Sequence, residues 1–211
     1  MESRAIQIHS RADSNVTLHV IPGHFATSHS HINYYVDMTY IKTRHQDASA
    51  AAVLLAEPYR NIQVDTIVCM DNCEVVGAFL AEALSEASYS VNSGKNISVV
   101  TPECDADHNM IFRDNIQREI YGKGVLILLA STTTGKTSRR LKECIQYYGG
   151  NVTGISSIFS AVDDVTGTPV YNLFSIEDVP AYSTYPYNKC PYCAARQKID
   201  ALVNGHGYSK L

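Results

Sequence analysis

The sequence predicts an α/β fold: a mostly parallel central sheet flanked by helices, with a small hood region and an extended C-terminal tail. Three observations predict it. The apolar run Val125 to Ala130 enters a loop of hydroxylated residues, and a helical pattern follows with Leu141, Cys144, Ile145 and Tyr148 on one face. A second strand, loop and helix reads from Val64 to Leu84 in VDTIVCMDNCEVVGAFLAEAL. A further strand, Val152 to Val162, follows the Leu141 helix, and helix-then-strand alternation implies a parallel sheet.

Residues 1–21 read as an N-terminal arm with strand character near Val16 to Ile21. Asp47 is expected to cap a helix running through Ala50, Leu54 and Leu55, with Pro58 at or beyond its end. Asp65 to Met70 reads as a strand. The next helix sets Val76, Phe79, Leu80, Ala83, Leu84 and Ala87 on one stripe with a helical period. Ile97 to Val100 is another strand, and the polar, irregular stretch Thr101 to Asn115 is the candidate for a mobile hood loop. Gly149-Gly150 ends the Leu141 helix as a C-cap, and Asp163 to Gly167 is a turn. From Tyr171 the chain changes character. Pro180, Pro186 and Pro191 punctuate it, and tyrosines 171, 182, 185, 187 and 192 crowd it. Residues 1–170 are thus expected to form the α/β domain with its arm. Residues 171–211 are expected to form a Tyr/Pro-rich tail over the core or a partner subunit, its amphipathic rings half buried.

At 211 residues the chain suits a single domain with ample length for a core, and its 45% hydrophobic content is ordinary for a globular protein. A net charge of −4 with 17 basic residues leaves no broad basic footprint, which argues against nucleic acid as the main partner. The opening MESRAIQIHSRADSN lacks the apolar core of a signal peptide. No apolar run approaches the roughly 20 residues that a membrane-spanning helix needs. The expected location is the cytoplasm, where the six cysteines are reduced thiols or metal ligands rather than disulfides.

The stretch Gly124 to Thr137, GVLILLASTTTGKT, carries the most chemistry. Ser131, Thr132, Thr133, Thr134, Gly135, Lys136 and Thr137 lie between strand and helix, where α/β proteins hold a phosphate. Backbone N–H groups converge on the anion, and the next helix points its positive end at it. Two readings fit. AxxxxGKT is one residue away from the Walker A pattern of a P-loop phosphotransferase. Lys136 would then reach the terminal phosphates, Thr137 would hold Mg²⁺, and Asp163 and Asp164 would supply the downstream acid. Alternatively, Thr133, Thr134, Gly135 and Thr137 match the Thr-Thr-Gly-x-Thr half of the 5′-phosphate loop of type I phosphoribosyltransferases. A Walker loop usually follows the first strand of its domain, whereas this loop lies past the middle of the chain.

The segment Pro22 to Asp37, PGHFATSHSHINYYVD, resembles the opening of orotate phosphoribosyltransferases through Phe25, Thr27, Ser28, Tyr35 and Asp37. The order of the three segments also fits, and the resemblance covers about Pro22 to Ala161. It implies a type I phosphoribosyltransferase-like fold and transfer of 5-phosphoribose from PRPP to a nucleobase, releasing pyrophosphate with inversion at the anomeric carbon. It further implies a Mg²⁺ cofactor and a homodimer with shared active sites. On this resemblance residues 131–137 hold the 5′-phosphate, and Asp71, Asn72, Cys73 and Glu74 form the pyrophosphate loop. Asp71 and Glu74 are the surviving catalytic acids, and Phe25, Thr27 and Ser28 lie near the base. Three features depart from the family. Leu129 and Ala130 replace the acidic pair before the phosphate loop. Asp71 and Glu74 in the pyrophosphate loop would repel pyrophosphate unless Mg²⁺ lies between them. The Arg-Lys-Glu-x-Lys signature of the mobile loop is absent, Lys95 being the only lysine between Arg60 and Arg113. The alternative function is a non-catalytic PRPP- or nucleotide-binding regulatory protein.

Cys190-Pro-Tyr-Cys193 has the form of a glutaredoxin motif, but that motif belongs near the start of its fold, after the first strand. A CxxC pair also presents two thiolates to one zinc ion, or packs as buried free thiols. The remaining zinc ligands would be Cys104 and His108, or Cys73, or the same pair from a second subunit. His24, His29 and His31 also cluster, and His29 and His31 share a face if extended. Arg139 and Arg140 begin a helix, where the dipole disfavours cations unless an anion is bound.

Overall fold

In a computed structural model, residues 2–28, 30–86, 88, 90–105, 109–179 and 181–211 are described. The elements in chain order are β1 (Ile6–His9), β2 (Thr17–Ala26), β3 (His31–Asp37), α1 (Thr39–Thr43), α2 (His45–Ala56), β4 (Thr66–Cys69), α3 (Glu74–Glu86), β5 (Ser98–Val100), β6 (Glu103–Cys104) and β7 (Met110–Ile111). They continue with α4 (Asp114–Gln117), β8 (Gly124–Thr132), α5 (Lys136–Tyr147), β9 (Asn151–Ser160), β10 (Asp164–Val165), β11 (Thr168–Ser175), β12 (Thr184–Tyr185), α6 (Pro191–Ala194), β13 (Ala201–Asn204) and β14 (Gly207–Lys210).

The central sheet has the order β10-β11-β9-β8-β4-β5. All its pairings are parallel except the β10–β11 return. Taken in chain order, its parallel strands lie 2-1-3-4-5, so the winding reverses between β4 and β8. In open α/β sheets the crevice at that reversal, beyond the carboxyl ends of the strands, is where ligands bind.

β8 shows why a continuous apolar run is needed there. Leu126, Leu128 and Ala130 face the core that α2 and α3 cover, while Val125, Ile127 and Leu129 face the core that α5 covers. Alternate side chains point to opposite faces of a strand, and a sheet with helices on both faces buries both. Leu141 and Ile145 of α5 meet that second face, with Phe112 and Ile120 beside them. On the first face, Ala48, Ala51, Ala52 and Leu55 of α2 pack with Val76, Leu80 and Leu84 of α3.

A second sheet forms the hood. Its order is β12-β3-β2-β13-β14, with β1 also pairing to β2. β2 and β3 are an antiparallel hairpin, and β13 adds in parallel to β2 through Ala201↔Phe25 and Leu202↔Ala26. The hood is therefore woven from both ends of the chain. Residues 101–115 instead form the short β6–β7 ladder and the start of α4, with 106–108 outside the described residues. Phe112 anchors this stretch in the α5-side core, so hydrophobic burial holds a segment whose polarity suggested a free loop.

Three boundaries differ from the expected ones. α2 starts at His45 after an extended Arg44, which places Asp47 in the first turn rather than at the cap. β8 continues through Ser131 and Thr132, which pair with Phe159 and Ser160, because cross-strand hydrogen bonding outlasts the apolar run. β11 carries the chain across the 170/171 boundary, pairing Val170 to Ser175 with β9. The tail beyond β11 lies over the same chain: Tyr182 packs on Phe159, and Tyr192 packs on His24 and Tyr185. No helix among the described residues is long and apolar enough to cross a membrane.

Candidate functional site

The turn after β8 has a geometry that could hold an anion. Gly135 is the N-cap of α5 with φ 69°, and no side chain caps the helix. The left-handed backbone suits glycine, and a Cβ there would stand 3.0 Å from Val165 Cγ2. The first N–H groups of α5 are thus left for a ligand at the positive end of the helix. Thr133, Thr134, Lys136 and Thr137 are exposed around this turn, and Ser131 is half-buried. Thr132 differs: its side chain is buried on the sheet, with its hydroxyl 3.5 Å from Ser138 Oγ. Because the ladder runs to Thr132, only 133–135 form the turn. Ala130, the first residue of the Walker-like match, is buried inside the strand.

A cavity of about 390 Å³ joins this turn to the hood. Ser131, Thr133, Thr134 and Lys136 line part of it. Thr27, Ser28 and Ser30 from the β2–β3 turn line another part, with Ile32, Tyr35 and Val36 of β3. Phe159, Tyr182 and Val203 complete an apolar wall, beside Thr184, Asn204 and Gly205. The cavity size and its mixture of apolar walls with a few polar groups suit a small-molecule ligand. Phe25 is fully buried in the hood's own core and packs on Tyr35. Thr27 and Ser30 lock the turn: Ser30 N–H donates to Thr27 Oγ1 at 2.9 Å, and Thr27 N–H to Ser30 O at 2.8 Å.

The loop after β4 flanks the other side of the sheet reversal. Asp71 and Asn72 both have left-handed backbones, φ 56° and 62°. Asp and Asn tolerate that region better than other non-glycine residues, yet such a pair still stores strain of about 1–3 kcal/mol per residue. The tip of the β13–β14 hairpin holds the loop in place. Lys42 is buried, and its Nζ donates to Asp71 O at 3.0 Å and to Gly205 O at 2.8 Å. Asn72 Nδ2 lies 3.1 Å from His206 Nδ1. A Cβ at Gly205 would meet Asp71 Oδ1 at 2.7 Å, so only glycine lets the hairpin tip approach the acid this closely. Gly205 thus borders both the cavity and Asp71.

Burial pushes the Asp71 carboxyl upward; Lys42, His206 and the Ala130 N–H oppose this, and Glu74 adds to it. Glu74 is exposed at the start of α3, and its Oε1 accepts a hydrogen bond from Thr101 Oγ1 at 2.9 Å. Cys73 is buried in the main core, and desolvation, with Asp71 close by, drives its thiol strongly upward, so it is a packing residue rather than a thiolate. Leu129 and Ala130 are buried on opposite faces of β8.

The structure brings Cys190 and Cys193 to the β2–β3 hairpin of the hood. Their neighbours are His24 and His31, not Cys73 or Cys104. Cys104 sits on the β6–β7 ladder, where burial and then Asp105 and Asp71 raise its thiol. His29 and His108 lie outside the described residues. Sequence reasoning gave no role to Lys42, Gly205 and His206. The first is an unremarkable helical lysine, and the others are a polar turn far along the chain.

No protein-family model matches the sequence. Among solved structures, the chain is similar to the orotate phosphoribosyltransferase of Mycobacterium tuberculosis H37Rv in complex with Fe(III) dicitrate. The TM-score is 0.55 at 17% identity, covering 76% of this chain and 91% of that one. The same enzyme in complex with PRPP gives 0.53 at 16% identity, covering 69% and 82%. The adenine phosphoribosyltransferase of Rhodothermus marinus DSM 4252 gives 0.51 at 13% identity, covering 82% and 95%. Together with the 2-1-3-4-5 parallel order and the paired loops at its reversal, these similarities identify the fold as type I phosphoribosyltransferase-like.

Proposed function

We propose that the protein binds PRPP, or a related 5-phosphorylated ribose, and transfers phosphoribose to a nucleobase in the manner of an orotate phosphoribosyltransferase. The observation that supports this is the cavity, which is lined both by Ser131, Thr133, Thr134 and Lys136 and by Thr27, Ser28 and Ser30. A phosphate at the first and a base at the second would span it. The three-residue turn and the buried Ala130 weigh against a P-loop phosphotransferase, whose glycine-rich loop must wrap the phosphates.

Mg²⁺ favours oxygen ligands and is commonly held by one or two carboxylates together with the substrate's own phosphates. Asp71 and Glu74 fit that donor type, and they are the residues that would hold it. When bound, the ion would offset negative charge on the pyrophosphate. The chain's own residues would do the rest. The Thr133 and Thr134 hydroxyls and the α5 N–H groups would fix the 5′-phosphate, and Asp71 would place negative charge beside the sugar.

Two observations favour the second reading, a PRPP- or nucleotide-binding regulatory protein without turnover. Leu129 and Ala130 are buried where the family's acids are expected, and the Gly205 tip packs directly on Asp71. Incubation with PRPP, Mg²⁺ and a panel of bases, followed by pyrophosphate release and by calorimetry, separates the two. Binding with turnover supports the enzyme, binding without turnover the regulator, and absence of binding removes both.

We further propose a cytoplasmic homodimer. The support for the dimer is the Tyr/Pro-rich tail, in which Tyr187 is 48% exposed, together with the family resemblance. Sedimentation of the full chain tests it, and a monomer at micromolar concentration refutes it. A chain truncated near Asn172 is unsuitable, since it would lack β12, β13 and β14 of the hood.

A further inference from the structure

Four side chains suited to a metal converge at the β2–β3 hairpin of the hood from distant parts of the chain. His24 lies in β2, His31 opens β3, Cys190 caps α6 and Cys193 lies within it. One ligand atom from each lies within 4.8 Å of all the others. His24 Nε2 is 2.9 Å from His31 Nδ1, 3.5 Å from Cys190 Sγ and 3.6 Å from Cys193 Sγ, and Cys193 Sγ is 3.2 Å from His31 Nδ1. Zn–N bonds of about 2.0–2.1 Å and Zn–S bonds of about 2.3 Å at tetrahedral angles put nitrogens ~3.3 Å apart and nitrogen ~3.6 Å from sulfur. The spacings in the protein match that pattern to within about 0.4 Å. We infer that His24, His31, Cys190 and Cys193 form a structural zinc site that clasps the C-terminal segment to the hood.

The surroundings fix the tautomer and backbone of His24. His24 Nδ1 faces the Gln197 carbonyl oxygen at 3.0 Å. A carbonyl only accepts, so Nδ1 carries the proton and the Nε2 lone pair points into the cluster. Such a bond from the far ring nitrogen is how metal-binding histidines are oriented. His24 lies where the β2–β3 register shifts, between Pro22 and Phe25. Asp200 fixes the His24 backbone from both sides: its Oδ2 accepts the His24 N–H at 2.9 Å, and its own N–H donates to His24 O at 2.7 Å. Tyr192 stacks on His24 at 5.3 Å, and Tyr187 meets the His31 ring edge at 5.1 Å. His24, His31 and Cys190 are buried. Two imidazoles and two thiolates are a soft donor set that selects zinc over magnesium or calcium, and four protein ligands leave no open position for catalysis.

The clasp has a consequence for the cavity. His24 and His31 bracket the Thr27–Ser30 turn, and the segment after Cys193 leads into β13, whose end reaches Gly205 and Asp71. The ion would thus fix the proposed base-side wall, a consequence that rests on the ligand reading given above. The zinc site itself does not rest on it.

Metal analysis of the full chain, purified reduced and without added metal, is the test. About one zinc per chain is expected, falling to nearly none in Cys190→Ser/Cys193→Ser and unchanged in Cys104→Ser. Should the double variant fail to fold, wild-type protein stripped by chelation and titrated with cobalt(II) alone gives a second readout. The visible bands and thiolate charge-transfer absorption of tetrahedral cobalt are expected, with the charge-transfer band diminished in Cys193→Ser. Metal-free wild type that also yields no thiolate–cobalt absorption overturns the site, and so does zinc retained in the double variant. Neither readout depends on PRPP binding or turnover, so failure here is distinguishable from failure of the proposed function.

Discussion

Lys42 Nζ donates to the main-chain oxygen of Asp71 at 3.0 Å, and the Ala130 N–H opposes the upward push of burial on the Asp71 carboxyl. An acid from the loop after β4 thus lies near the stretch of β8 in which Leu129 and Ala130 replace the carboxylates that the family resemblance calls for. On the proposed function, Asp71 is the group that would take over part of their electrostatic work. It is also held back, with Lys42 tethering its backbone and the Gly205 tip packed on its side chain.

Turnover with PRPP and orotate is accordingly expected to be slow or absent. Losing one contributor to charge stabilisation commonly lowers kcat about 10²–10³-fold. Any turnover that pyrophosphate release detects should fall by a similar factor in Asp71→Asn. Robust turnover insensitive to Asp71→Asn and Glu74→Gln would show that neither acid has taken over the role.

Affinity for ribose 5-phosphate should depend on the α5 turn. A hydrogen bond to a charged group contributes about 1.5–3 kcal/mol, so Thr133→Ala/Thr134→Ala should weaken binding at least ~10-fold. Both residues are exposed, so the thermal midpoint should barely move. Calorimetry reads the first and a melting scan the second. Unchanged affinity would remove this turn from the site, and a preference for ATP over PRPP would revive the phosphotransferase reading.

The acidic pair should not be restorable by simple substitution. Leu129 is 0% exposed in the α5-side core. Leu129→Asp removes packing worth about 2–5 kcal/mol and forces a carboxylate into apolar surroundings. A destabilisation of at least about 3 kcal/mol in urea unfolding is expected, without gain of activity. A stable, more active variant would mean that β8 turns outward in solution.

Binding should have an acid limb above the ordinary carboxylate range. Burial raises the Asp71 carboxyl, so its charge is lost as pH falls through a higher value than in the unfolded chain. Its own contribution to folding has the opposite dependence, fading as pH rises from the unfolded value to the raised one. Removing the Lys42 charge in Lys42→Met should shift the limb further upward, because Lys42 opposes the rise. Asp65 behaves conversely. Burial works against its charge, but hydrogen bonds from the Gly124 N–H, Gln63 and Lys95 hold it below the usual range. Its stabilisation is present above the unfolded carboxylate value and lost as pH falls through the lower folded one. Affinity for Mg²⁺–PRPP measured across pH in wild type and Lys42→Met, beside urea midpoints for Asp65→Asn, checks both signs.

Local patterning determined the central sheet, because local physics dictates it. Val125 to Ala130 has to be a strand buried on both faces, and Val76, Leu80 and Leu84 repeat at a spacing only a helix can bury on one side. The Gly135 turn was legible for the same reason, since a left-handed residue before an uncapped helix leaves a local signature. Tertiary structure alone decided what joins across the chain. Nothing near Cys190 indicates that His24 and His31 will meet it, and nothing near Asp71 indicates Lys42 or Gly205. The C-terminal partners come into place with β13 adding beside β2, a pairing more than 170 residues apart in sequence (Ala201↔Phe25) that only the finished hood sheet specifies. The polarity of 101–115 misled because one aromatic, Phe112, finds its core only when α5 is in place. Short-range periodicity fixes each element's burial, but contacts between remote segments depend on how the layers stack, and no window of sequence contains that information.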